Sequence, residues 1–433
     1  MSNAMYKITR EIAVILSCLE SLILFNQSYS NRAIMNLILL ALFLHTSYYF
    51  EKKYSKITVS YLFVFLIVYF IDSLTACACT EKMLGQLNDD KTFGFWIGDY
   101  YNIYFVSIII VYTVILFYLK ISNNNQPEIK NKNELLNENN PNYYIVGCVI
   151  LIGIHVALNS YEAIIPVYSY LIHQLFFDKR NRTKCLIVLL ITVILTRGIL
   201  LQRYKFVEIA LPIVLMFLVK QKDKGKINII KVNVLAFAGV LVAGLYGVAS
   251  EVYKLNKNYN GQYSLQDIIT NSQSLFQFFY RQFYRVFAIW IKLGGYIIYH
   301  TKSYGYYYGI TYVKPLSKVI GFEYVSLPKI SAMYDGANYA QPGLLAEGYA
   351  NFGIVGASIN ILAVFFFMEY TWKKYRNYPS VINLLYVVVP FAQILLDGGT
   401  LNSALYLYIM CMILNVINLI QNSKKRDRGK NYE

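Results

Sequence analysis

Between residues 341 and 358 the chain reads QPGLLAEGYANFGIVGAS, and three polar side chains there could do chemistry: Glu347, Asn351 and Ser358. A carboxylate at the mouth of a helix can take a proton from an attacking hydroxyl, and a neighbouring amide can orient it. On an unbroken helix, at 100° per residue, Glu347, Asn351 and Ser358 fall within about 40° of one another and form a polar stripe. Ala346, Ala350, Gly353 and Ala357 make an adjacent stripe of small residues, a pattern that lets helices pack closely in lipid. A plain structural helix explains the same residues, because glutamate in a first turn also complements the helix dipole.

Basic side chains are the second set. Gln273, Gln277, Arg281 and Arg285 recur at every fourth residue in an aromatic stretch, LFQFFYRQFYRVFAIWIK at 275–292. That spacing predicts an amphipathic helix with one polar face, lying at or dipping into a membrane surface. Arg281 and Arg285 would then offer two fork-shaped donors to one phosphate, or simply meet lipid phosphates. Arg197, Arg203 and Lys205 form another basic group at the end of an apolar run. Such residues mark an anionic ligand site or snorkel to head groups. Tyr299, Tyr304, Tyr306, Tyr307 and Tyr308 cluster around Gly305 and Gly309. A tyrosine there is either a membrane-interface belt residue or a platform for the C–H face of a sugar.

Weaker candidates are Asp397, in an Asp-Gly-Gly-Thr turn, and Asp72, His155, Glu162, Glu208 and Glu251. The six cysteines are scattered, with no C-x-x-C pair and no zinc spacing, so neither a metal nor a cofactor is expected.

Elements that could position these residues follow from hydropathy. Hydrophobic residues make up 57% of the 433-residue chain, and its mean hydropathy is +0.41. Apolar runs of spanning length fall near 11–26, 32–50, 57–76, 98–120, 143–158, 161–177, 185–200, 204–219, 232–250, 343–368, 381–396 and 399–420. The expected fold is therefore an all-α polytopic membrane protein of about 12 transmembrane helices. Residues 1–4 read as an expression scar, 5–250 as an N-terminal helix bundle, 251–342 as a long outer loop with interfacial helices, and 343–433 as C-terminal helices with a basic tail. With both termini inside, well over half of the 40 lysines and arginines fall on the cytoplasmic side. The net charge of +16 is then mainly an orientation signal and requires no nucleic-acid partner. Residues 122–142 read as a flexible inner linker.

Three features together resemble a bacterial oligosaccharide repeat-unit polymerase, the Wzy-type O-antigen or capsule polymerase family. Leu345-Ala-Glu-Gly-Tyr-Ala-Asn-Phe-Gly353 with Gly356 is similar to the family's Glu-x-Tyr-x-Asn-Phe-Gly-x-x-Gly pattern. Leu195-Thr-Arg-Gly198 is similar to its Ser/Thr-Arg-Gly/Thr stretch, and an arginine-bearing outer loop precedes the late helix. The resemblance covers roughly 192–201 and 274–370. It implies a multi-spanning glycosyltransferase of the bacterial cell membrane, acting outward on sugars linked to polyprenyl diphosphate. The implied partners are lipid-linked oligosaccharides, membrane lipids, a chain-length regulator and a flippase. Glu347, Arg281 and Arg285 would be catalytic, and Arg197, Arg203, Tyr349, Asn351 and Asp397 would bind substrate. Glu347 is the first candidate base and Asp397 the second; Glu347 could equally hold an arginine in place. An O-antigen ligase shares the donor, and a lipid-linked oligosaccharide flippase or transporter is the alternative of another class. The absence of an internal repeat and the long outer loop disfavour a transporter.

Overall fold

The structure is a computed structural model. It describes residues 141–158, 161–177, 182–196, 289–313, 323–335, 341–377, 382–387 and 404–414, with isolated positions elsewhere. They fall into two compact units: one holds 289–373 and Leu401, the other 141–196, 374–389 and 404–414.

In the second unit three helices follow one another. These are α1 (Pro141–Leu158), α2 (Ile164–Phe177), entered through a 3-10 turn at Tyr161–Ala163, and α3 (Arg182–Leu195). Pro141 opens α1, and Pro166 lies in the first turn of α2, where the missing N–H has no helical partner to lose. From Ala163 to Leu171 α2 is buried throughout, tyrosines 168 and 170 included. Its neighbours turn large apolar side chains outward instead: Val146, Val149, Ile150 and Val156 on α1, and Leu186, Ile187, Leu190 and Ile194 on α3. Gly147 brings the α1 backbone against Leu414, where an added Cβ would sit 3.3 Å from the leucine Cα.

In the first unit α4 (Ile289–Tyr304) packs on α5 (Leu327–Asp335) through Leu293, Tyr296 and Ala332, with Tyr334 alongside. Gly305 ends α4 at φ 94°, its N–H bonding the Thr301 carbonyl, a conformation that glycine adopts without steric cost. Ser326 starts α5, its carbonyl receiving the N–H groups of Lys329 and Ile330. Of the expected amphipathic helix at 275–292, only the last four residues are described, and they begin α4. The helical segments 293–304 and 327–335 were not anticipated in the sequence.

The helix that follows, α6 (Leu344–Asn377), departs most from the sequence reading. Phe352 (φ −143°, ψ 26°) and Gly353 (φ 64°, ψ −150°) leave the helical region in its midst, and Gly353 lies where only glycine sits comfortably. The chain reverses there. Gly348 and Gly356 touch backbone to backbone, and the Asn360 amide reaches the Leu344 carbonyl at 3.1 Å. Both pairs are centred on Phe352, so α6 is an antiparallel helical hairpin with a short arm at 344–351 and a long arm at 354–377. The continuous polar stripe through Glu347, Asn351 and Ser358 is thereby corrected. Ser358 belongs to the return arm, where its hydroxyl bonds the Ile354 carbonyl. The expected small-residue stripe ends for the same reason, because Gly353 is the reversal point. Among the described residues, the stretch Leu344–Tyr375 is the one long and apolar enough to cross a membrane. The long arm is about 36 Å, against a hydrocarbon core of about 30 Å, but its uncharged part ends at Met368 after about 22 Å, with Glu369, Lys373, Lys374 and Arg376 beyond.

Candidate functional site

Breaking a helix leaves carbonyls without partners, and a buried break must satisfy them. At the end of the short arm the tyrosine-rich loop after α4 does this. Tyr307 N–H donates to the Ala350 carbonyl at 2.9 Å, and Tyr308 N–H to that of Asn351 at 3.3 Å. The loop closes into a 3-10 turn, Ile310–Val313, whose consecutive residues grip opposite arms of the hairpin. Thr311 Oγ1 receives Asn351 Nδ2 at 2.6 Å. Tyr312 donates its hydroxyl to Asn360 Oδ1 at 2.7 Å.

Asn351 is the keystone of this clasp. It is fully buried, its Nδ2 also donates to the Glu347 carbonyl at 2.8 Å, and its Oδ1 accepts the Gly309 N–H at 2.8 Å. Replacing it with alanine strands the Gly309 donor and frees the loop. With about 1–3 kcal/mol for each buried group left unpaired, Asn351→Ala should cost about 2–4 kcal/mol in total. Thermal unfolding of the purified protein in detergent measures this; Asn351→Asp, which keeps the acceptor but sets a carboxylate oxygen against the Glu347 carbonyl in a buried site, should lose at least as much.

Glu347 lies on the short arm, one turn before Asn351, and is 2% exposed. Its Oε2 accepts the Leu401 N–H in a short hydrogen bond, which ties the short arm to the start of the last apolar segment. Burial first, and the nearby Glu347 carboxylate second, push the Tyr312 phenol above its ordinary range. It therefore stays a neutral donor to Asn360. Tyr349, on the same arm, is buried and meets Tyr306 edge-on at 6.1 Å.

Behind the loop, His300 of α4 sits in an aromatic cage. Tyr304 stacks on it at 4.4 Å, Tyr334 meets it edge-on at 6.0 Å, and the Tyr307 hydroxyl lies 3.0 Å from its Nδ1. Burial pushes the imidazole below its usual range, which favours a neutral ring accepting the Tyr307 proton.

Of the sequence-derived site residues, the structure brings together Glu347, Tyr349 and Asn351 with the 304–312 loop. Arg281, Arg285, Arg203, Lys205, Asp397, Asp72, Glu208 and Glu251 lie outside the described residues, as does Arg197. The residue before Arg197 is described: Thr196 is buried at the end of α3, its hydroxyl 2.8 Å from that of Tyr168. His155 is buried in the last turn of α1. Three members of the hairpin site were missed: Thr311, Tyr312 and Asn360. Asn360 carried a signal, an amide in an otherwise apolar run, while Thr311 and Tyr312 were hidden among many tyrosines. Among the described residues, no group of three or more His, Cys, Asp or Glu could hold a metal.

The site is thus a helical hairpin with a buried carboxylate, clasped by an aromatic loop. Residues 1–424 match the model of a family of unknown function, DUF6032, and the chain belongs to that family. No curated protein and no solved structure matches it.

Proposed function

We propose that the protein is a membrane glycosyltransferase that joins polyprenyl-diphosphate-linked oligosaccharide units at the outer face of the cell membrane. The observation that carries this reading is the hairpin itself. The Glu-x-Tyr-x-Asn-Phe-Gly-x-x-Gly pattern, similar to that of Wzy-type polymerases, coincides residue for residue with one built feature. Glu347 anchors it, Tyr349 and Asn351 meet the loop, Phe352 and Gly353 reverse the chain, and Gly356 is the crossing point. The large apolar side chains turned outward from α1 and α3 favour a lipid setting, since so broad an apolar surface is unfavourable in water.

In the proposed reaction a sugar hydroxyl of the new lipid-linked unit attacks the anomeric carbon of the growing chain. The bond from that carbon to the diphosphate oxygen breaks, its electron pair leaves with the diphosphate, and the hydroxyl proton passes to a base. Charge gathers on the leaving diphosphate, where preorganised guanidinium groups stabilise it. Arg281, Arg285 and Arg197 are proposed for that task, and Arg203 and Asp397 are proposed to bind substrate. Glu347 is proposed to hold the Leu401 segment in place. Its burial and its bond to a backbone N–H suit a positioning residue better than a base that must reach substrate.

Cells deleted for the protein should accumulate single lipid-linked repeat units at the outer face and lack long chains, as read by gel profiles of surface glycan. Units trapped on the inner face would support the flippase reading instead. Normal chains left unattached to their final acceptor would support a ligase.

A further inference from the structure

The loop that clasps the hairpin presents tyrosines in a way its packing role does not require. Tyr304, Tyr306 and Tyr308 recur at every second position, and all three are exposed, Tyr304 and Tyr308 at 76% each, while Tyr307 between the last two is half-buried. Their backbone is fixed from both ends by Gly305 and Gly309 and by the bonds of residues 307–309 to the short arm. Tyr306 and Tyr308 stand edge to face with centroids 6.3 Å apart. Tyr308 has φ 48° and is the one non-glycine residue at positive φ among the described residues. Most side chains avoid this conformation, and glycine would adopt it freely while still donating its N–H to Asn351. A tyrosine here is costly to the fold, and its ring buries little in return.

We propose that Tyr306 and Tyr308, with Tyr304 beside them, form a stacking subsite for the sugar chain of the substrate. The proposal rests on the transferase reading and names the part of the site that grips glycan. A pyranose ring presents a C–H face to an aromatic ring and hydroxyls at its edge, and a tyrosine answers both. The exposed residues from 302 to 308 are Lys302, Ser303, three tyrosines and a glycine, with the aliphatic Ile310 exposed beyond them, so the rim is dominated by hydrogen-bonding groups. That composition fits a hydroxyl-rich chain better than acyl tails. The Tyr306 ring also packs at the Gly353 reversal, where an added Cβ would lie 3.3 Å from its hydroxyl. The subsite is therefore fixed to the same hairpin that carries Glu347.

Tyr308→Gly is the discriminating variant, because it relieves the backbone and removes the ring. The probe is a set of oligosaccharides released by mild acid from the surface polysaccharide of the producing cells. Their binding to the full chain in lipid nanodiscs is followed by saturation-transfer NMR. The wild-type protein should bind them, and Tyr308→Gly should weaken binding at least tenfold with an unchanged or higher unfolding temperature. Binding unchanged in Tyr308→Gly, as expected of a tyrosine that only meets lipid at the bilayer interface, would overturn the proposal, as would a wild-type protein that binds none of the set. Glycan binding that depends on Tyr308, in a protein that makes no glycosidic bond, would keep the subsite and remove the transferase reading. Bond formation with Tyr308-independent glycan binding would do the reverse.

Discussion

Alanine at Gly348 or Gly356 should prevent the α6 hairpin from closing and leave little folded, active protein. A Cβ on Gly348 would collide with the Gly356 carbonyl oxygen, and would lie 2.6 Å from the Gly356 carbonyl carbon and 2.7 Å from the Ala357 Cα. A Cβ on Gly356 would collide with the Gly348 carbonyl oxygen. The obstructing atoms belong to the backbone, so no side chain can swing away and the arms themselves must part. That movement strains the bond from Asn360 to Leu344 and, through Tyr312, the clasp of the loop. Overpacking a core costs about 1–3 kcal/mol when neighbours can shift; here the cost should be at the top of that range or above. Gly153 provides the control. It lies within α1 with nothing near its missing side chain, so Gly153→Ala should be neutral or stabilising by about 0.5–1 kcal/mol. Thermal unfolding of the three variants in detergent reads the difference. Unfolding temperatures equal to wild type for both Gly348→Ala and Gly356→Ala would contradict the hairpin.

The second large effect falls on Glu347 and depends on which atom is removed. Alanine leaves the Leu401 N–H without its partner and opens a buried gap, so the short arm loses its tie. Displacement of a site by about 1 Å can cost about 100-fold in rate, and Glu347→Ala should lose at least that much. Glutamine keeps the shape and a carbonyl oxygen for Leu401, so a positioning residue should retain activity within about tenfold of wild type in Glu347→Gln. Were Glu347 the base that removes the acceptor proton, glutamine would fail as completely as alanine. Chain growth in cells complemented with each variant at equal protein level separates the two roles. Arg281→Ala, made alongside, tests the proposed diphosphate contact and should also shorten the glycan.

The apolar runs from 143 to 177 were legible in the sequence as helices because their length and composition leave few other structures. The importance of residues 347–356 was legible too, but their geometry was not. Helical periodicity assumes an unbroken helix, and on that assumption Glu347, Asn351 and Ser358 line up. The signal against it was local: an asparagine two residues before a glycine inside an apolar run, a common way to end a helix. The small-residue stripe named Ala346, Ala350, Gly353 and Ala357 and passed over Gly348, while Gly356 entered only as the end of the family pattern; it is these two glycines that let the arms of the hairpin touch. α4 went unread because its tyrosines suggested a surface belt, whereas Tyr296 packs on α5 and His300 is caged by its neighbours. Partners far apart in sequence, such as Tyr312 with Asn360 or Glu347 with Leu401, have no periodicity to reveal them.

The central claim concerns bond formation, and purified components test it most directly. The full chain in lipid vesicles, supplied with polyprenyl-diphosphate-linked repeat units from the producing cells, should yield glycans of two, three and more repeats. One polyprenyl diphosphate should be released for each new bond, and both products should fall together in Glu347→Ala. Units that remain single, with no diphosphate released, while the protein moves them across the vesicle membrane would contradict the account.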